Sequence, residues 1–280
     1  MPEGATADPS TATPWALVTG GSSGIGLGLA GALHGRGLNL VILGRDTSRL
    51  NQAAAQLGNQ RVETLALDVT DRPAVMAAMA ALLARLGAPL WVVTSAGMAK
   101  PGRFLDQALV DHDAQWAANY LGTLNIVHAL APAMARAGQG RVVLISSAAA
   151  LGGFYGYGAY APSKWAVRGL GEVLALELGA HGIQVTTAFP PDTQTPQLEA
   201  ERLTRPALTA RFAAGNPVLR VDAVVRAILR AADRGRPQVA PGAELLLFVG
   251  PLMARYLTWC QRRLMRHVPE AAPPAGPVLP

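Results

Sequence analysis

Short apolar runs alternate along the chain with longer stretches rich in alanine and leucine. The apolar runs are continuous, which is typical of strands in a parallel sheet that helices cover on both faces. Strands are predicted at 15–19, 38–43, 62–67, 90–94, 141–146, 183–189 and, more weakly, 237–239. Helices are predicted at 24–36, 47–57, 72–86, 111–137, 163–180 and 221–233. This order predicts an α/β fold, a doubly wound parallel sheet of the Rossmann type in a single domain.

Local signals support several of these boundaries. Asp46 and Asp71 each precede a predicted helix and are expected to be its N-cap. Gly182 follows the helix that ends near residue 180, where a left-handed cap is favoured. We expect a catalytic domain at 14–240, a C-terminal segment at 241–268, and flexible tails at 1–13 and 269–280.

The composition favours a globular protein with a large buried core. Half of the 280 residues are hydrophobic and the net charge is +6. Cys260 is the one cysteine, so no intrachain disulfide can form, which fits a reducing, cytoplasmic compartment. The two lysines, Lys100 and Lys164, form no basic tract, so we expect no nucleic acid partner. No metal is expected either.

A glycine-rich turn lies between the first predicted strand and the first predicted helix. Glycine lets the backbone approach a pyrophosphate closely, and the helix N-terminus offers free N–H groups. This context predicts a dinucleotide site, although the glycine spacing is not the common Gly-x-Gly-x-x-Gly. The predicted binding residues of the turn are Gly20, Ser22, Ser23, Gly24, Ile25 and Gly26.

Arg45 follows the second predicted strand. A carboxylate here usually binds the ribose 2′-OH of NAD, whereas an arginine accommodates the 2′-phosphate of NADP. Since Arg45 precedes Asp46, and Asp46 is better used as a cap, the sequence predicts NADPH as cofactor. Ser22 is a candidate for a further phosphate contact.

Tyr160 and Lys164 are one helical turn apart and follow Ser147 by 13 and 17 residues. An ammonium near a phenol is expected to lower the pKa of the phenol toward a range useful for proton transfer. Lys164 can also reach a ribose hydroxyl, and Ser147, favoured over Ser146 by its spacing, can bind a substrate oxygen. Asn119 is a candidate for holding a water beside Lys164.

These motifs together resemble the short-chain dehydrogenase/reductases over about residues 15–239. The resemblance implies hydride transfer between a nicotinamide and a carbonyl, with Tyr160 as proton donor. It also implies that Asp68 and Val69 contact the adenine, and that Ser95, Ala96 and Gly97 line the nucleotide. The family usually has asparagine at the position of Ser95. Family members often pair through long helices, so a homo-oligomer is expected.

The stretch after the sixth strand resembles a narrower group, the 3-ketosphinganine reductases. It reads Pro190-Pro191-Asp192-Thr193-Gln194-Thr195-Pro196, where most family members have Pro-Gly. By this resemblance Thr193 and Thr195 contact the nicotinamide carboxamide, Pro190 is a further cofactor-binding residue, and the substrate is a long-chain amino-ketone. A loop at 197–216 is expected to cover its tail, and Asp192, Glu199 or Glu201 to pair with its amine. Another lipid-like ketone (3-oxoacyl, steroid or retinoid) and a non-catalytic dinucleotide sensor remain alternatives.

The sequence pattern of the C-terminal segment predicts an amphipathic helix from 251 to about 266. Apolar residues cluster on one side and arginines on the other, and Tyr256 and Trp259 are suited to a membrane interface. Docking onto the core or onto a second subunit is the alternative. Residues 244–266 are therefore a candidate for peripheral contact with the cytoplasmic membrane face.

Overall fold

The computed structural model describes residues 14–244, 247, 255–256 and 258–263. The predicted tails at 1–13 and 269–280 lie outside these residues, as does much of the segment 241–268. The strands of the described part are β1 (Trp15–Thr19), β2 (Asn39–Gly44), β3 (Val62–Ala66), β4 (Trp91–Thr94), β5 (Gly140–Ile145), β6 (Ile183–Ala188) and β7 (Gln238–Val239). They form one parallel sheet in the order β3-β2-β1-β4-β5-β6-β7. This is the predicted doubly wound sheet.

Helices lie on both faces of the sheet. They are α1 (Gly24–Gly35), α2 (Thr47–Gln56), α3 (Arg72–Leu86), α4 (Leu109–Trp116), α5 (Gly122–Ala137), α6 (Tyr160–Glu177), α7 (Pro196–Thr204), α8 (Ala207–Ala213) and α9 (Val221–Asp233). One apolar core joins α1, α2 and α9 to one face of the sheet, and a second joins α3, α5 and α6 to the other. The central strands β1 and β4 are therefore buried along their whole length, because helices cover both faces of the sheet, whereas the edge strand β3 is partly exposed.

Several predicted boundaries are confirmed by their caps. The carboxylates of Asp46 and Asp71 accept hydrogen bonds from the backbone N–H groups of Arg49 and Ala74 at 3.1 and 3.0 Å. Gly182 is left-handed, with φ 75°. The sixth helix begins at Tyr160 rather than 163, since Pro162 lies in its first turn, where a missing N–H costs no helical hydrogen bond.

Two predictions of secondary structure are wrong. The single helix predicted at 111–137 is α4 and α5 joined by a π-helical segment, Ala117–Leu121. The loop predicted at 197–216 contains α7 and α8. The signal for α7 is present in the sequence, because Thr195 caps the helix through its hydroxyl, 3.2 Å from the N–H of Leu198, and Pro196 opens its first turn.

Candidate active site

A cleft of about 400 Å³ opens at the carboxyl ends of the strands, beside the point where the strand order reverses between β1 and β4. Open α/β sheets bind their ligands at such a switch point. The turn after β1, the loops after β4, β5 and β6, the start of α6, and helices α7 and α8 all contribute to its walls. The chain thus brings most of the predicted site residues to one place.

The glycine turn forms one end of the cleft. Gly20 and Gly24 have φ of 65° and 53°, which favours glycine. A Cβ at Gly20 would lie 2.8 Å from the backbone nitrogen of Ala96, and one at Gly26 would overlap the Gly20 carbonyl. Gly20, Ser23, Gly24 and Ile25 line the cleft, and the Ser23 side chain makes no capping hydrogen bond. The first N–H groups of α1 are therefore placed to bind a phosphate.

Arg45, Ser22 and Asp68 lie at the outer end of this turn, where β2 and β3 end. The Arg45 side chain is 75% exposed, and its guanidinium is 3.9 Å from the Asp68 carboxylate. Ser22 lies beside Gly44, because a Cβ there would be 3.6 Å from the Ser22 hydroxyl oxygen. Val69 is buried, and its carbonyl accepts a hydrogen bond from Asn125. Arg45 and Ser22 are thus neighbours at the position expected for a 2′-phosphate.

Ser147 and Tyr160 meet inside the cleft. The Ser147 hydroxyl oxygen accepts from the N–H of Ala149 at 3.1 Å and is hydrogen-bonded to the Tyr160 phenol. The Ser146 hydroxyl instead donates to the backbone carbonyl of Lys164 at 2.8 Å, where it is buried. The structure therefore separates the two serines: Ser147 faces the phenol, and Ser146 fixes α6 to the end of β5.

Lys164 is buried behind the phenol. Its Nζ donates to the carbonyl of Ile145 at 3.0 Å and lies 5.7 Å from the centroid of the Tyr160 ring. Burial lowers the pKa of Lys164 to about 8, and the negative charge of Glu201 partly opposes this shift.

The pKa of Tyr160 moves in the direction opposite to the predicted one. Burial raises the pKa of the phenol, and the charge of Glu201 raises it further, whereas hydrogen bonding to Ser147 lowers it. Burial penalises the phenolate, and the Lys164 ammonium points to the Ile145 carbonyl. The phenol is consequently held in its protonated form.

Asn119 braces the loop after β4. It is fully buried in the π-helical segment; its Oδ1 accepts from the N–H of Met98 at 2.8 Å, and its Nδ2 donates to the Met98 carbonyl and to the Ser163 hydroxyl at 2.9 Å each. A Cβ at Gly97 would lie 2.6 Å from Asn119 Oδ1. The Asn119 side chain therefore joins this loop to α6, and holding a water stays a prediction for this residue.

The loop after β6 brings three more predicted residues to the cleft, Pro190, Thr193 and Thr195. The Pro190 carbonyl accepts from the N–H of Ala148 at 3.0 Å, which joins this loop to that of Ser147. The Thr193 hydroxyl donates to the Pro191 carbonyl at 2.8 Å. The Thr195 methyl packs on the glycine turn, since a Cβ at Gly24 would lie 3.0 Å from it.

Motif spacing did not reveal several other side chains that line the cleft, among them Tyr157, Gln197 and Arg205. Arg205 forms two hydrogen bonds to Asp192, at 2.7 and 2.8 Å, and a longer one to Glu201 at 3.3 Å. They lie on segments whose packing the sequence did not predict. Of the three predicted amine partners, Asp192 and Glu201 line the cleft, whereas Glu199 is exposed and lies outside it.

Comparison with known proteins identifies the family. The model of the short chain dehydrogenase family matches residues 14–206. The chain belongs to the short-chain dehydrogenase family. It is accordingly an oxidoreductase that acts on an alcohol or ketone group, and this membership confirms the resemblance seen in the sequence motifs.

Individual relatives agree with this assignment. The chain is 32% identical to the 3-ketodihydrosphingosine reductase of Bos taurus over 235 residues, 81% of this chain and 71% of the relative. It is 34% identical to the 3-dehydrosphinganine reductase of Danio rerio over 227 residues, 78% of this chain and 68% of the relative. A solved short-chain dehydrogenase from Sphingobium yanoikuyae, in complex with NADPH, superposes with a TM-score of 0.73 at 29% identity, covering 94% of this chain and 99% of that one.

The described part of the chain contains neither a metal-binding cluster nor a membrane-spanning helix. Within the described residues, no three His, Cys, Asp or Glu side chains form a group that could hold a metal ion. The same part of the chain contains no helix with the length and apolar character needed to span a bilayer.

Proposed function

We propose that the protein uses NADPH to reduce the C3 ketone of 3-ketosphinganine, giving sphinganine. The observation that carries this proposal is the Ser147–Tyr160 hydrogen bond, with Lys164 behind it, in a cleft that also contains the glycine turn. The named activities of the Bos taurus and Danio rerio relatives support the choice of substrate.

The residues divide the chemistry between them. The bound dinucleotide would supply the hydride for the carbonyl carbon. Tyr160 would donate its phenolic proton to the ketone oxygen, and Ser147 would hold that oxygen by a hydrogen bond as negative charge develops. The phenol carries the proton that reduction requires at neutral pH, since the ordinary pKa of tyrosine is already near 10 and burial raises the pKa of Tyr160 further.

The choice of NADPH is supported by the positions of Arg45 and Ser22. Arg45 is largely exposed, so its guanidinium is accessible to a 2′-phosphate. The Sphingobium yanoikuyae structure, which contains NADPH, has the same fold at 29% identity.

The cleft also suits an alkyl chain. The lining side chains Phe154 and Phe212 pack edge to face with ring centroids 5.9 Å apart, and Ala213 and Leu219 also line the cleft. Burial of each CH₂ contributes about 0.8 kcal/mol, so the tail would supply most of the binding energy. Residues of α7 and α8 line the cleft, so these helices would cover the tail in place of the loop expected from the sequence.

The test is a panel of ketones assayed for NADPH oxidation, with product identified by mass spectrometry. We expect 3-ketosphinganine to have the highest kcat/KM, and Tyr160→Phe to lower kcat by at least about 100-fold because the proton donor is lost. Tyr120→Phe, outside the cleft, is the matched control. Equal or faster reduction of a 3-oxoacyl, steroid or retinoid ketone would reject this substrate, and absence of any turnover would favour a dinucleotide sensor.

The cofactor has a separate test. Arg45→Asp removes the cation and adds a carboxylate, so the ratio of kcat/KM with NADPH to that with NADH should fall about 10- to 100-fold. Arg49→Asp, an exposed change of equal charge on α2, is the control. An unchanged ratio in Arg45→Asp would remove the basis for NADPH.

We also propose that the C-terminal segment contacts a membrane surface. The Tyr256 and Trp259 side chains are more than half exposed and their rings stack, with Arg263 over the Trp259 ring. Amphipathic aromatic rings next to arginine are suited to the interface of an anionic bilayer.

A further inference from the structure

The Gln197 side chain lies between the Tyr160 phenol and the Glu201 carboxylate. Its Nε2 donates to Glu201 Oε1 at 3.1 Å, and hydrogen bonding to the same side chain lowers the pKa of Tyr160. One carboxamide thus hydrogen-bonds to both groups, so the phenol and the carboxylate lie on either side of a single small polar group.

Glu201 is fixed in this position by its other contacts. It is only 8% exposed, and its Oε2 accepts from the Tyr157 hydroxyl at 3.1 Å and from Arg205 at 3.3 Å. The Tyr157 ring in turn packs on the Tyr160 ring, with centroids 5.6 Å apart. The carboxylate therefore keeps a constant position relative to the proton donor.

The charges around Glu201 are unbalanced. The Arg205 guanidinium is shared between Asp192 and Glu201. Its contact with Asp192 is bidentate and shorter than its contact with Glu201. The group formed by Asp192, Glu201 and Arg205 therefore carries a formal charge of −1. The Lys164 ammonium also lines the cleft, but it donates to the Ile145 carbonyl rather than to either carboxylate. A ligand cation at Glu201 would balance a charge that is costly to bury alone.

We propose that Glu201 binds the ammonium group next to the substrate ketone, and that the Gln197 amide occupies this position until the substrate displaces it. This inference rests on the proposed function. In an α-amino ketone, the ketone oxygen and the ammonium nitrogen are separated by two carbons, so both can reach Tyr160 and Glu201 over the span that Gln197 now bridges. Gln197 is exposed at the cleft and can move aside without disturbing the core.

The geometry selects Glu201 among the three predicted carboxylates. Both oxygens of Asp192 are taken by Arg205. Glu199 is exposed, outside the cleft, on the same helix as Glu201. Glu199→Gln is therefore a matched control for Glu201→Gln.

The experiment compares 3-ketosphinganine with a ketone of the same chain that lacks the amine. Glu201→Gln should lower kcat/KM for the amino-ketone about 10- to 100-fold, mainly through KM, because a charged hydrogen bond is lost. The loss of kcat/KM for the amine-free ketone should be at least about fivefold smaller than the loss for the amino-ketone, because only the amino-ketone loses the charged hydrogen bond. Glu199→Gln should affect neither substrate. An equal loss for both ketones, or no loss for either, would overturn the role of Glu201.

A binding measurement keeps the inference separate from the proposed function. Sphinganine should bind the wild-type protein with NADP⁺ at least about tenfold more tightly than the alcohol without the amine, measured by calorimetry. Equal affinities would overturn the inference even if both ketones are reduced. A lack of turnover would reject the proposed function, whereas a preference for the amine would still support Glu201. If Glu201→Gln does not fold, this wild-type comparison decides the question.

Discussion

Single residues in the site are governed by burial as much as by their neighbours. Lys164 loses solvent, so its ammonium is disfavoured, and the same low-polarity surroundings disfavour the phenolate of Tyr160. The spacing of the two residues in sequence predicted that they share a helix face, but it did not predict the effect of burial on their pKa values. Attraction between phenolate and ammonium would lower the pKa of Tyr160 and raise that of Lys164, whereas burial shifts each pKa in the opposite direction.

The burial of Lys164 should make the free energy of unfolding depend on pH. Its pKa is about 8 in the folded protein and about 10.5 when the group is free, so from pH 8 to 10.5 the unfolded chain binds more protons. The free energy of unfolding of the wild type relative to Lys164→Met should therefore increase across this window, by at most about 3 kcal/mol. Urea titrations at pH 7, 8, 9 and 10 measure it, with the exposed Lys100→Met as control. A constant difference would refute the shift.

The site residues with a motif could be predicted from sequence, and those without one could not. Ser147 lies at the end of β5, and Tyr160 and Lys164 occupy one turn of α6, so strand order and helix periodicity suffice to bring them together. Arg205 and Gln197 reach the cleft only because α7 folds over it. No local pattern in the sequence specifies that packing.

At the scale of elements, helix α6 both carries site residues and packs against the sheet. Its first turns carry Tyr160 and Lys164, and further along it packs closely against the sheet at Gly171. A Cβ at Gly171 would overlap the Thr187 hydroxyl of β6 and lie 3.2 Å from the side chain of Leu144 in β5. Glycine is thus required there by close approach.

Two glycines on this helix give a matched pair of variants. Gly171→Ala should lower the free energy of unfolding by about 1–3 kcal/mol, because the added methyl group has no space. Gly169→Ala should raise it by up to about 1 kcal/mol, since that position is exposed and has no atom within 4 Å of a new Cβ. Denaturant titrations of both variants measure the effects. Equal effects would contradict the packing described for α6.

There are physical reasons why the sequence patterns did not predict the π-helical segment, α7 and α8. The π-helical segment Ala117–Leu121 inserts residues within an apolar pattern that continues on both sides, so periodicity shows one long helix. α7 and α8 are short, with 9 and 7 residues, and each buries only two side chains, so neither shows a long apolar stripe in the sequence. The long, apolar strands were predicted to within one or two residues because burial on both faces leaves them few alternatives.

At the scale of the whole molecule, the C-terminal segment is both attached and exposed. Gln261 accepts from the N–H of Tyr155 and donates to the Gly153 carbonyl, each at 2.7 Å, so the segment docks beside the cleft. Tyr256 and Trp259 remain more than half exposed. Docking and membrane contact, which the sequence set as alternatives, thus use different residues of the segment. The expected homo-oligomer stays a prediction.

The exposed aromatic residues make the membrane proposal testable. Tyr256→Ala with Trp259→Ala should weaken binding to vesicles that contain anionic lipid, by about 10-fold or more, because two interfacial rings are lost. Co-sedimentation measures the binding, and Trp165→Ala, a partly exposed tryptophan on α6, is the control. Vesicle binding that survives the double variant would exclude this segment as the contact.

The attachment of Gln261 also has a consequence for synthesis of the chain. Its two hydrogen bonds join positions 106 and 108 residues apart. At roughly 5–20 residues per second, a ribosome needs about 5–20 s to proceed from Tyr155 to Gln261. During that interval the nascent chain already contains every residue of the glycine turn and of β1 to β5. The segment around Phe154 still lacks its hydrogen bonds to Gln261. The nucleotide end of this cleft is thus translated first, and the opposite wall is completed last.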